Sequence, residues 1–99
     1  MCKSTVSVYF GDTCNDLYHG YGLLIYKSSV LRFYEGHFQN NCKYGYGLEY
    51  INGDIYIGKF VNNKPEDENG VFIWGNGDIY HGSFINGMKH GNGKWQSGD

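Results

Sequence analysis

Residues 34–58 read YEGHFQNNCKYGYGLEYINGDIYIG, and the reading of this stretch decides the fold. It opens on Tyr34-Glu35-Gly36, carries Gly45-Tyr46-Gly47 eleven residues later, closes on Asn52-Gly53-Asp54 and restarts with Tyr56-Ile57-Gly58. Tyr34, Gly36 and Phe38 fall on one side and Glu35 and His37 on the other, which is the period of a strand. Asn-Gly supplies the positive φ of a tight hairpin turn. No stretch sustains a helical period. One unit therefore reads as a strand, a six-residue polar loop from Gln39 to Tyr44, a second strand, and an Asn-Gly turn into the next unit.

The same marks recur on either side. Tyr-x-Gly stands also at Tyr9-Phe10-Gly11 and Tyr80-His81-Gly82, so that the four tyrosines are spaced by 25, 22 and 24 residues. Gly20-Tyr21-Gly22 and Gly91-Asn92-Gly93 again begin 11 residues after their tyrosine, and Asn76-Gly77-Asp78 and Ser97-Gly98-Asp99 repeat the closing mark. The expected organisation is a lead-in over 1–8 and four units over 9–33, 34–55, 56–79 and 80–99. The expected fold class is all-β, an elongated single-layer antiparallel meander of tandem β-hairpins. A strand glycine leaves a hole that a neighbouring ring can cover, so Tyr34, Gly36, Gly45, Gly47, Tyr56, Gly58, Tyr80, Gly82, Gly91 and Gly93 read as structural. Eight strands at about 4.8 Å make a rod of roughly 40 Å.

Tyr-x-Gly, then Gly-x-Gly eleven residues on, then Asn-Gly-Asp-Ile-Tyr, resembles the MORN (membrane occupation and recognition nexus) repeat, over about Tyr9 to Asp99. The second and fourth units carry the pattern best, through Tyr34, Gly36, Phe38, Gly45 and Gly47, and through Tyr80, Gly82, Phe84, Gly91 and Gly93. The third unit departs from it: Lys64-Pro65-Glu66-Asp67-Glu68-Asn69 replaces the first loop glycine, leaving Gly70 alone, and a local bulge is expected there. The first unit has Thr13 in place of an aromatic and Ser28-Ser29 in place of Asn-Gly, as suits a terminal repeat that caps the stack. The resemblance implies a scaffold that docks peptides or helices in a groove, dimerises through terminal repeats, or tethers larger proteins to membrane or cytoskeleton. It implies a cytoplasmic location, at the cytoskeleton or the cytoplasmic face of a membrane. Some members carry an enzyme domain after the repeats, so a targeting or regulatory region of an enzyme such as a lipid kinase is an alternative reading.

Composition narrows the function classes. Ninety-nine residues suffice for one small domain. Ten acidic against eight basic residues give a charge of −2 with no basic run, so nucleic acid is excluded as a partner. The N-terminus lacks the apolar core of a secretory signal, and no apolar run is long enough to cross a bilayer. Cys2, Cys14 and Cys42, odd in number and scattered, read as reduced thiols inside a cell.

No residue pattern assembles catalytic chemistry, so the expectation is a non-enzyme with no catalytic, cofactor or metal residues. His19 and His90 share a repeat position, but neither has partners at metal-ligand spacing. The Gly-x-Gly marks are not followed by the helix that a phosphate-cradling loop needs. Cys14 and Cys42 lack a local base and orienting group, and Glu66-Asp67-Glu68 reads as a solvated loop tip. The candidates for partner binding are the aromatic and apolar side chains outside the Tyr-x-Gly mark: Tyr46, Leu48 and Tyr50 on one strand face, and Phe72, Trp74 and Trp95 in later units. The expected partners are other proteins, peptides or helices, with a homodimer through the C-terminal repeat, where an edge strand bearing Trp95 invites pairing. Acidic phospholipid is the alternative partner, with Lys59, Lys64, Lys89 and Lys94 as contacts, although no segment is polybasic.

Overall fold

In a computed structural model, which describes residues 7–98, these described residues form one antiparallel sheet and no helix. The strands are β1 (Ser7–Cys14), β2 (Leu17–Tyr26), β3 (Arg32–Gln39), β4 (Cys42–Ile51), β5 (Asp54–Val61), β6 (Lys64–Pro65), β7 (Asp67–Ile73), β8 (Ile79–Ile85) and β9 (Met88–Gln96). They lie in chain order across the sheet, with the short β6 paired to β5 ahead of β7. The molecule measures 44 × 28 × 18 Å, the elongated single layer expected from the repeat.

Two-residue turns build the hairpins. Asn15-Asp16, Asn40-Asn41, Asn62-Asn63 and Asn86-Gly87 all have positive φ at both positions, as does Asn52-Gly53 between units, which is the mirror-image turn that matches strand twist. The six-residue loop expected over Gln39–Tyr44 is thus corrected: β3 runs to Gln39, β4 begins at Cys42, and only Asn40 and Asn41 turn. Asparagine tolerates the left-handed region better than other non-glycine residues, so an Asn-Asn pair does here what Asn-Gly does elsewhere. Each turn within a unit lies six residues after its tyrosine.

In the second, third and fourth units the turn is also fastened to the unit before it. The Asn41 N–H donates to the Tyr18 carbonyl at 2.9 Å while the Tyr18 N–H donates to Asn41 Oδ1 at 2.8 Å. Asn63 repeats this with Lys43, at 3.1 and 2.9 Å. In the last unit Gly87 donates its N–H to the Pro65 carbonyl at 2.9 Å. Pro65 has no N–H to offer, and the turn residue opposite it has no carboxamide.

Glycines run across the middle of the sheet. Gly11 pairs with Gly22, Gly22 with Gly36, Gly36 with Gly47 and Gly47 with Gly58, and Gly70 pairs with Gly82 and Gly82 with Gly93. On one face, called inner, a tyrosine ring lies on this row. A Cβ at Gly22, Gly47 or Gly93 would stand 2.5 Å from Cε1 of Tyr9, Tyr34 or Tyr80. The same hydroxyls donate to the carbonyl three residues on: Tyr9 to Asp12 at 2.6 Å, Tyr34 to His37 at 2.7 Å, Tyr56 to Lys59 at 2.9 Å and Tyr80 to Ser83 at 3.3 Å. The first glycine of Gly-x-Gly does something else. Between Gly36 and Phe38 β3 advances two residues while β4, from Gly47 to Lys43, advances four, and Gly45 at φ +93° takes up the excess. An L-residue avoids that region.

The core is a chain of edge-to-face rings on the inner face. Tyr18, Phe38, Tyr34, Phe60, Tyr56, Phe84 and Tyr80 contact in that order with centroids 4.9–5.6 Å apart. Such pairs add about 0.5–1.5 kcal/mol each beyond the area they bury. Tyr34, with 0% exposure, is sealed in a sheet one layer thick.

The irregularity expected in the third unit is present: Glu66 separates β6 from β7, and pairing to β8 shifts between Asp67 and Gly70. Cys14 carries an exposed free thiol, but Cys42 is disulfide-bonded. This corrects the reading of the cysteines as scattered thiols, because a bridge needs closeness in space, which sequence spacing does not reveal. Cys2, also read as a thiol, lies outside the described residues, as do the first six positions of the 1–8 lead-in.

Two outcomes follow from the ring–glycine contact. Gly47→Ala should lower unfolding free energy by about 1–3 kcal/mol, since the added methyl meets a packed ring, while Tyr34→Phe should cost about 0.5–1.5 kcal/mol for the lost hydrogen bond. Urea denaturation of the two variants measures both. Burial, foremost, holds the Tyr34 and Tyr56 phenols well above their ordinary pKa of 10.0, reinforced by the Glu49 and Asp67 charges. A raised folded-state pKa means stability is full below the unfolded value and falls as pH climbs past it. Above pH 10 the loss of near-ultraviolet dichroism should therefore coincide with late tyrosinate absorbance; ionisation of every tyrosine before unfolding would contradict it.

Candidate functional site

Cross-strand partners share a face, so the pairing register sorts side chains into rows that cross the sheet. One inner row runs Tyr9, Leu24, Tyr34, Glu49, Tyr56, Phe72, Tyr80, Trp95. The outer face carries two adjacent rows over β1 to β8. The first is Val8, Ile25, Phe33, Tyr50, Ile55, Ile73, Ile79, and the second is Phe10, Leu23, Glu35, Leu48, Ile57, Val71, His81. Twelve of these fourteen side chains are apolar, so a face that would ordinarily be wet reads like half of a core. Phe33 and Tyr50 stack within it at 5.2 Å and 7°.

A shallow groove runs beside the second row. Tyr21, Glu35, His37, Tyr46, Leu48 and Ile57 wall it, the backbone of Gly36, Gly47 and Gly58 forms its floor, and its volume is about 360 Å³. Tyr46, at 64% exposure, stands at its centre opposite Lys59. The Tyr21 hydroxyl donates to Glu35 Oε2 at 3.1 Å, which holds its own pKa above the ordinary value.

Of the side chains singled out for partner binding, Tyr46, Leu48 and Tyr50 therefore lie together on the outer face. Phe72, Trp74 and Trp95 do not join them. Phe72 and Trp74 pack on the inner ring cluster, and Trp95, paired with Tyr80, is inner as well but 60% exposed at the sheet edge. The larger part of the outer surface, the isoleucines with Val8, Phe10 and Phe33, was not singled out from sequence. A signal existed: the residues before and after each tyrosine, and the first and third after the second glycine of Gly-x-Gly, are mostly apolar.

The buried charges serve the fold. Lys43 Nζ donates to Glu49 Oε2 at 2.9 Å, Arg32 Nη2 and Nε donate to the same oxygen at 3.1 and 3.3 Å, and Lys43 sits 5.1–5.9 Å from the Tyr26, Tyr34 and Phe60 ring centroids. Glu49 occupies a place in the tyrosine row where no ring stands, and the two cations neutralise it there. In the acidic stretch, Asp67 accepts the Lys59 and Asn69 N–H groups at 3.0 and 2.9 Å and so closes the irregular third unit. Among the described residues no three His, Cys, Asp or Glu side chains group as metal ligands. The lysines considered for lipid contact do not share a face. Lys59 and Lys94 are outer, Lys64 is at a hairpin end, and Lys89 lies inner, 4.8 Å from the Trp74 ring.

The sequence model of the MORN repeat matches residues 15–29, 67–79 and 80–99. The second unit lies outside these spans, yet its glycine pair, ring contacts and turn repeat those of the fourth. No curated protein matches the chain. Repeats of this family are in general non-catalytic and take part in protein and membrane interactions. With that match laid over a meander of hairpins whose tyrosines cover a glycine row, the chain belongs to the MORN-repeat proteins.

Proposed function

We propose that this chain is a non-enzymatic scaffold that docks other proteins on its outer face, in assemblies at the cytoskeleton or at a membrane. The carrying observation is the contrast between the two faces: the inner one is filled by its own rings, while twelve apolar side chains on the outer one lack a covering layer. A contiguous apolar surface of that extent ordinarily marks an interaction site, and Tyr46, Tyr50 and Phe33 are the aromatic anchors such sites use. Acidic phospholipid is the weaker reading, since adsorption to an anionic surface needs basic side chains on one side.

The edge strand favours a second contact, self-pairing. Every residue of β9 is exposed, its outward backbone groups face no further strand in the described sheet, and such an edge accepts another chain. Two copies joined at β9 would extend the sheet end to end.

The test compares wild type with Ile57→Lys, on the outer face, and Trp95→Ser, at the inner edge. Both positions are exposed, so stability should change by less than about 0.5 kcal/mol. A protein that cross-links to wild type and to Trp95→Ser should be lost with Ile57→Lys. Retention by Ile57→Lys, or instead salt-sensitive flotation of wild type with phosphatidylserine vesicles, would overturn the outer-face reading.

A further inference from the structure

We infer that the outer face is covered by the outer face of a second copy, so that the single sheet becomes one layer of a two-layer sandwich. This rests on the outer face being a docking surface and names its occupant. A sheet with an apolar face is stable when another layer buries it, and here the inner layer is already complete, with Tyr34 and Phe60 at 0% and 1% exposure.

The chemistry of the patch selects a second sheet. Ile25, Ile55, Ile73 and Ile79 are stiff, β-branched side chains standing in one row with the stacked Phe33–Tyr50 pair, the kind of surface that interdigitates between sheets about 10 Å apart. The row crosses seven strands, about 29 Å between the outermost, and the second row lies about 7 Å away along the strands. With side-chain width included, the patch offers roughly 600–800 Å², close to the ~800 Å² per partner of a stable interface.

Charge points the same way. Within the two rows over β1 to β8 the titratable acid and base are Glu35, which Tyr21 holds at 3.1 Å toward the groove, and His81, at the β8 end of the second row. A copy related by a two-fold axis meets little like charge, whereas a strongly acidic or basic partner finds few charges within these rows to pair with. Both rows turn polar at their end, the first at Gln96 on β9 and the second at His81 on β8 and Lys94 on β9. This limits the contact to β1–β8 and leaves the β9 edge outside it. A two-fold contact between identical patches closes on itself, so the face contact by itself gives a dimer and not a filament.

Small-angle scattering with in-line mass on the 99-residue chain tests this, because the two ways of pairing have different shapes. A face-to-face dimer keeps a longest dimension near the single-copy 44 Å and doubles the 18 Å one, whereas pairing at β9 doubles the length. The expected result is twice the monomer mass at nearly unchanged length, with Ile57→Lys weakening the dimer about a hundredfold at an unchanged melting temperature. Leu23→Thr, a milder change in the same row, should weaken it in the same direction should Ile57→Lys not fold. A monomer at every concentration, an end-to-end dimer, or a compact dimer indifferent to these substitutions would overturn the inference. The docking-surface reading fails separately. A monomer that still loses a cross-linked foreign protein on Ile57→Lys leaves that reading standing, and one that keeps it overturns both.

Discussion

Everything in this sheet depends on a tyrosine ring occupying the space where a glycine has no side chain. The ring lies flat on the backbone, and its hydroxyl donates to a carbonyl of its own strand, as Tyr34 does to His37 at 2.7 Å. Because the ring is down and not upright, the phenylalanine four residues on can meet it edge to face, as Phe38 does at 5.1 Å, and the next unit's Phe60 can meet it from the far side at 4.9 Å. A layer of side chains only one ring deep thereby becomes a packed core. Without the glycine the ring would stand up and the contact between units would open, so repeat stacking and local strand geometry are one interaction and not two.

That interaction was legible in the sequence because it needs two residue types at a fixed spacing. The Tyr-x-Gly and Gly-x-Gly marks located the strands, the meander and the length. The turns were less legible, because an Asn-Asn pair such as Asn40-Asn41 has no uniquely turn-forming residue, and only its backbone shows both positions left-handed. The face taken by the later aromatics was not legible either, and for Phe72 the reason is countable. Phe72 and Tyr50 both lie sixteen residues after their tyrosines, yet the third unit carries one extra residue before Gly70. Counted from the nearer glycine, Phe72 and Trp95 each follow Gly70 and Gly93 by two, as Glu49 follows Gly47, and all three are inner. A register is kept by the close backbone contact and not by the distance along the chain.

The same local bookkeeping explains a departure that looked like decay of the repeat. Tyr18 and Lys43 offer an N–H and a carbonyl to the next turn, and an asparagine at the second turn position answers both. Pro65 offers a carbonyl alone, and Gly87 answers that alone. An asparagine there would bring a carboxamide oxygen to a position with no donor. Two residues that depart from the pattern individually satisfy it together, which is why the fourth unit stacks in register on an irregular third.

The two faces then obey opposite rules. On the inner face a polar residue enters only with its charge satisfied, and Glu49 needs both Lys43 and Arg32 because a carboxylate buried alone among rings would be costly. On the outer face the paired glycines of the central row offer no vacancy, since a tyrosine ring takes it on the inner side, so the side chains there pack beside their cross-strand neighbours. Upright isoleucines shield one another's flanks but not their tips, and this leaves the row half-buried. Further burial would have to come from a surface laid against those tips. The apolar outer rows are thus not required by the stacking of units, which the inner face accomplishes alone, and their composition is free to answer to whatever lies against them.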